Sequence, residues 1–423
     1  GIYAGYNQGQ ELLDKRTRNG KTFTNGDGTN TLMLMGNLHY QNEIGEWDDI
    51  DLTVRPYTGN NLYDYANLTN TFRTFYPANP QSGVAIENGG KRYILAKEHK
   101  ISVAGSDAEN VLKQKSSTPK RGDYRVVTYS ELYSGIDYQC IQLSNGVETG
   151  FWIKERGSLP LTSGQSVKFE QTIEIPAGCH IEANGKKQSK TFTADGFVIR
   201  TGNDENDLYY NPVVIYDATY SFDDIMMRVE GGDGKTENKD NTHRLSVSYD
   251  VEINGNTAVV SYSVPAEWLN ASNVVYPVFV DPSVTVGTTS AGNEDYWGTA
   301  FTHWFGYMKH VGLYLSSELN FTGTITNIGY YCTESNSNNH QKTGELYLKT
   351  TTSTSVASGT TWANWKSGAT TAYNSTLPWT SGTGWKTINL SSSFSYSSGN
   401  LLVITKSNYG GSGNTYKLAR FST

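Results

Sequence analysis

The chain has 423 residues, enough for one to three domains that each bury a core of their own. Charged residues make up 18% and aromatics 12%, with 43 Gly and 29 Tyr, a balance that belongs to a turn-rich all-β protein and excludes a mainly helical one. The net charge of −7 argues against a nucleic-acid partner, and the longest apolar runs, 32–35 and 274–280, are far too short to span a membrane.

In chain order, the first ten residues read GIYAGYNQGQ. Ile2, Tyr3 and Tyr6 sit among Gly and Asn, unlike a solvated tail, and mark residues 1–30 as an extension able to dock or to add to the edge of a neighbour's sheet. A chain that begins at Gly1 is expected to be a product from which a leader or a preceding segment has been removed. Residues 8–18 are predicted to form a short helix. The acidic group Asp48, Asp49 and Asp51 is local, and the spacing of the last two puts them on one strand face, where such carboxylates accept hydrogen bonds from turn amides. Strands are predicted over 124–129, 136–143, 167–175, 197–200 and 213–220. In 243–264, HRLSVSYDVEINGNTAVVSYSV, Leu245, Val247, Tyr249, Val251 and Ile253 alternate with polar residues, Asn254-Gly255 supplies a hairpin turn, and Val260, Tyr262 and Val264 continue on the return strand. A short helix is predicted over 265–270.

Composition shifts near Pro282. Residues 284–423 hold 8 basic and 5 acidic residues, which leaves 26 basic and 36 acidic for 1–283, and the tail is rich in Ser, Thr, Gly, Tyr and Trp. Strands are predicted there over 345–349, 386–390 and 401–405. The expected architecture is therefore all-β: a large antiparallel β-sandwich over 31–283 followed by a smaller, jelly-roll-like β-sandwich over 284–423. The contrast in charge predicts a mild attraction between surfaces of the two halves, within or between molecules.

Reactive chemistry is hard to find. No G-x-S-x-G elbow occurs, and the seven histidines form neither H-E-x-x-H nor an i, i+4 pair; His303 and His310 stand seven apart. The acidic clusters 48–51, 204–207 and 223–224 are local, as solvated turns are, and point away from a paired-carboxylate hydrolase. Calcium is the one ion whose preference for hard oxygens suits the Asp/Asn-rich stretches, with Asp204, Asp207, Asp233 and Asp240 as the candidate ligands, although neither stretch reproduces an EF-hand loop. Aromatics in Gly/Ser/Thr/Asn-rich loops of the tail, Trp297, Trp304, Trp362, Trp365 and Trp379, are candidate platforms for stacking on sugar rings. Cys140, Cys179 and Cys332 match no zinc or redox spacing. Cys140 and Cys332 are expected to be small core residues, and one disulfide stays open.

Four phrases taken together resemble the N-terminal β-module of bacterial wall-associated and RHS-type secreted surface proteins. They are 13–32 (LDKRTRNGKTFTNGDGTNTL), the set His39, Tyr40, Trp47, Asp49, Ile50 and Asp51, the stretch 129–154 (YSELYSGIDYQCIQLSNGVETGFWIK), and Trp268-Leu269 with 276–282 (YPVFVDP). Ser134 departs from the proline usual in that family. The tail phrases LYLSSELNFTGTITNIGYY, GELYLKTTTST and TGWKTINLSSSFSYSSGNLLVIT resemble a β-sandwich module common in bacterial secreted proteins. These resemblances imply an exported, extracellular or cell-surface, modular protein, and they carry no catalytic motif. A stand-alone product is expected, since none of the toxin or repeat regions that such modules precede follows here. The leading expectation is a non-enzymatic structural protein that assembles with itself or with neighbouring surface proteins into a fibre, sheath or adhesive coat, without a cofactor unless calcium. The alternatives are an adhesin that binds glycans through the tail aromatics and a hydrolase on a sandwich scaffold.

Overall fold

The structure, a computed structural model, describes residues 9–34, 36–105, 108–222, 225, 242–287, 300–301, 307–332, 343–357, 359–378, 384–408 and 421–422. Among these, strand is the dominant state and pairing is antiparallel, with short α-helices at Ala266–Asn270, Ser316–Leu319 and Trp362–Lys366. The chain divides into two compact units, Asp49–Ser290 and the combination of Gly1–Asp48 with Ala291–Thr423.

Asp49–Ser290 is built on two facing sheets of ten and twelve strands. Alternation is the reason they face each other. In Ser166–Glu174 every second residue is buried, and Val167, Phe169 and Ile173 meet Val127, Tyr129, Tyr138, Cys140 and Phe151 from the opposite sheet in one core. That core is rich in tyrosine, and several of the hydroxyls find partners at its margins: Tyr76 donates to Gln142 Oε1 (2.8 Å), Tyr133 to the His99 carbonyl (2.9 Å) and Tyr249 to the Asn211 carbonyl (2.9 Å). Two of the phrases that carry the sequence resemblance become sheet neighbours. Ile136–Gln142 pairs with Gly146–Ile153, which pairs with Val278–Asp281. Trp152 then stacks on Phe279, ring centres 4.5 Å apart.

The hairpin at Asn254-Gly255 forms, with Asn254 opposite Thr257 and Gly255 at φ +65°. The run before it, which reads as a single strand, is two. Arg244–Val247 belongs to the twelve-stranded sheet, and Tyr249–Asn254 to the ten-stranded one. The chain crosses between the sheets at Ser248, a corner that continuous alternation conceals. The helix expected over 8–18 is reduced to a single 3₁₀ turn, Leu13–Lys15, while Ala266–Asn270 is helical as expected.

The other unit is a smaller sandwich of a four-stranded and a three-stranded sheet. Leu346, Leu348, Leu401 and Val403 from the first meet Tyr330, Ile388 and Tyr396 from the second. The hairpin of Gly20–Thr24 and Asn30–Leu34 belongs to this unit: Leu32 and Leu34 pack against its core, Thr17 Oγ1 donates to the Glu318 carbonyl (3.1 Å), and Asn19 Nδ2 donates to Glu318 Oε1 (3.0 Å). The unit boundaries at 48 and 290 thus differ from the 30 and 283 expected from composition, because residues remote in sequence complete one core.

Candidate functional site

The residues singled out from the sequence scatter. Ile2, Tyr3, Tyr6, Asp233, Asp240, Trp297, Trp304 and Trp379 lie outside the described residues. Trp362 and Trp365 lie on the short helix Trp362–Lys366, capped by Thr361 Oγ1, which accepts from Asn364 N (3.3 Å). Both indoles are half-buried and pack down on Tyr347, Leu402 and Ile404. Trp362 meets Tyr347 edge-on at 6.2 Å, and the Lys309 ammonium sits 5.4 Å from its ring centre. They cover one face of the four-stranded sheet instead of standing free as platforms.

Asp204 and Asp207 surround Arg200. Its guanidinium donates to Asp207 Oδ2 (2.8 Å), Asp204 Oδ1 (3.5 Å) and Glu182 Oε2 (2.7 Å), and Asp207 first, then Glu182, raises the arginine's pKa further. Thr201 N and Oγ1 both donate to Asp207 Oδ1 at 2.7 and 2.9 Å. Both oxygens of this buried carboxylate are therefore engaged by the protein itself. Among the described residues no three His, Cys, Asp or Glu side chains stand close enough together to hold a metal ion. Asp51 accepts from Thr53 N and Oγ1 and from Arg55, which hold its carboxyl down at about 2, Arg55 first. Of the cysteines, Cys140 and Cys179 are free thiols, and burial pushes Cys140 up to about 12. The Cys332 side chain lies outside what is described.

Two other constellations are built by the fold. The first is a buried acid pair. Glu148 and Asp281, 0% and 3% exposed, lie on the side of the twelve-stranded sheet that faces away from the main core, with Arg244 near them. Burial pushes the Asp281 carboxyl up to about 7, against the opposing pull of the Glu148 hydrogen bond, the Arg244 charge and the Ser283 amide. Closed to solvent, this pair acts within the protein and does not meet a diffusing substrate.

The second is an open groove of about 760 Å³ over the outer face of the ten-stranded sheet. Its unusual part is Lys91–Ala104. Ala96 and Glu98 adopt φ +52° and +55°, a left-handed conformation that costs a non-glycine residue roughly 1–3 kcal/mol. The register against Ser166–Glu174 slips twice around them: Glu170 faces Lys100, Thr172 faces Lys97, and Glu174 faces Ile94. Each slip inserts one residue into the longer strand. As a result Leu95 and Ala96 both point into the core, and Lys97 and Glu98 both point out. The Lys97 ammonium stands 3.0 Å from Glu174 Oε1 and 3.7 Å from Glu98 Oε1, and Glu174 chiefly raises its pKa. Thr172 Oγ1 donates to Glu98 Oε2 (3.1 Å). On the far side, Arg92 lies over the rings of Tyr63 and Phe75, 5.1 and 5.3 Å from their centres, and pairs with Glu87. The floor between is the 3₁₀ turn Pro80–Ser82, capped by Asn79 and ended by Gly83 at φ +79°; a Cβ there would lie 2.5 Å from the Leu95 carbonyl oxygen, so the turn requires glycine.

Sequence reading passed over both constellations, although signals were present. Glu148 and Asp281 are charged residues inside apolar strand runs, GVETGFWI and VFVD. In YILAKEHKISV the alternation breaks at two adjacent pairs, Leu95-Ala96 and Lys97-Glu98, as a bulge demands. No family model matches the chain, and no curated protein matches it either.

Proposed function

We propose that this chain is a non-enzymatic structural protein of the cell exterior, a subunit that assembles with further copies of itself into a fibre, sheath or coat. The observation that carries the proposal is a difference between sheet edges. In Asp49–Ser290 the strands that end the two sheets are short: Arg55–Pro56, Phe192–Ala194, Lys120–Arg121 and Lys186–Lys187 are two or three residues long and mostly Lys, Arg or Pro, and the side branches Glu109–Val111 and Arg244–Val247 run three and four. Such edges discourage pairing with another chain. In the smaller sandwich three terminal strands are longer: Tyr307–Tyr314 runs eight residues in unbroken register with Asn400–Asn408, Thr370–Thr376 runs seven and Gly384–Tyr396 thirteen. A long, regular edge is the kind of surface that accepts a strand from a neighbour, and a donor that is not the same edge gives a contact that propagates. The extracellular setting is supported by the resemblance of four sequence phrases to secreted bacterial surface modules.

The test is electron microscopy of the purified protein at rising concentration, with proline placed at Met308 and, separately, at Lys309. Amide directions alternate along a strand, so one of the two variants removes an N–H that points away from the sheet and leaves the ladder to Asn400–Asn408 intact. Polymers from the parent chain that this folded variant fails to form support the proposal. Monomers at every concentration, or polymers indifferent to both prolines, refute it. Deleting residues 1–10 then tells whether the segment with Ile2, Tyr3 and Tyr6 is the donor.

A further inference from the structure

We propose that the groove over the outer face of the ten-stranded sheet binds a neutral oligosaccharide. The proposal uses residues that assembly does not, and either can hold without the other.

The first reason is charge. The groove presents two ammonium or guanidinium groups, Lys97 and Arg92, and two carboxylates, Glu98 and Glu174. An anionic ligand would meet the carboxylates and a cationic one would meet Lys97 and Arg92, so neither sign is favoured. A sugar hydroxyl donates one hydrogen bond and accepts others, as a serine hydroxyl does. It fits a surface that alternates charged donors and charged acceptors within a few ångströms, and hydrogen bonds to charged groups are the strong ones. The second reason is shape. The groove's volume of about 760 Å³ falls within the roughly 300–1,000 Å³ of small-molecule clefts, and it is open to solvent, which suits a ligand held by one side better than one enclosed molecule. The third is the apolar component. Leu62, 57% exposed, and half-buried Ile94 lie among the polar groups and offer contact to the C–H faces of pyranose rings.

The backbone supplies independent support. Ala96 and Glu98 hold left-handed conformations on either side of Lys97, and a regular strand of the same sequence would avoid their cost. What the two insertions achieve is to turn Lys97 and Glu98 outward side by side and to bring the ammonium within 4 Å of both carboxylates. A regular strand would send one of these neighbours into the core.

The test is saturation-transfer difference NMR and isothermal titration calorimetry on the full chain with three neutral probes: cellohexaose, mannohexaose and chitohexaose. At least one probe is expected to bind. Glu174→Gln and Lys97→Met, both at partly exposed positions, are expected to weaken that binding at least tenfold while the thermal melt shows each variant folded. Trp362→Ala and Trp365→Ala in the other unit are expected to leave it unchanged. The proposal is overturned if none of the probes binds, if binding survives both groove variants, or if it follows the tryptophan variants instead.

Discussion

His99 is held neutral by its surroundings. Its ring lies 4.3 Å from that of Tyr138 and 5.4 Å from that of Phe151, its two ring nitrogens have no hydrogen-bond partner among the described residues, and burial pushes its pKa down to about 3. The unfolded chain takes up a proton near pH 6.5, whereas the folded chain resists until about 3. The stability that depends on neutral His99 is therefore complete above pH 6.5 and is lost as pH falls through that window. His99→Phe keeps the ring contacts and removes the titration. Denaturant melts at pH 7 and pH 4 are expected to show the parent losing about 3 kcal/mol more than the variant between the two, an order-of-magnitude figure from the width of the window. Equal losses would mean that the imidazole has a partner or a path to water. Asp281 opposes this trend. Its carboxyl titrates near 7 when folded, so its burial costs stability as pH rises from about 4 toward 7, and the comparison must be made between parent and variant instead of on the absolute curve.

At the scale of the element, close approach between neighbouring strands sets what each position tolerates. A Cβ on Gly150 would lie 2.4 Å from Phe279 Cε2 and 2.8 Å from the Val280 carbonyl oxygen. Phe279 cannot yield easily, since it is fully buried and stacked on Trp152. Gly150→Ala is expected to cost about 1–3 kcal/mol, the usual range for overpacking a well-filled core. Gly157, whose Cβ would meet nothing within 4 Å, is the control, and Gly157→Ala is expected to leave the melting temperature nearly unchanged. A neutral Gly150→Ala would show that the two strands can separate without loss.

For the whole molecule, the consequential feature is that the smaller sandwich is discontinuous in sequence. Its core draws on Leu32 and Leu34 as well as on residues after 300, and Glu318 is tied to both Thr17 and Asn19. Deleting residues 9–34 is expected to expose the apolar side chains that the hairpin covers and to loosen that unit, while Asp49–Ser290, which has its own core, keeps its resistance to protease. Limited proteolysis followed by mass spectrometry distinguishes the outcomes: cuts confined to the smaller unit fit a discontinuous domain, and an unchanged digest would mean that the hairpin adds nothing to its stability.

Period-two alternation, Asn-Gly turn chemistry and the scarcity of helical patterns made the all-β antiparallel class legible from the sequence, because each is a local property of a few adjacent residues. The hairpin at Asn254-Gly255 and the strand Ser166–Glu174 were readable for that reason. The crossing between sheets at Ser248, the joining of residues 9–34 to the tail, the buried pair Glu148 and Asp281, and the groove around Lys97 were decided by tertiary structure. Each depends on which strands become neighbours across tens to hundreds of residues, or on backbone conformations such as those of Ala96 and Glu98 that their own side chains disfavour. Local preference has no term for either, and only the packed sheets hold them in place.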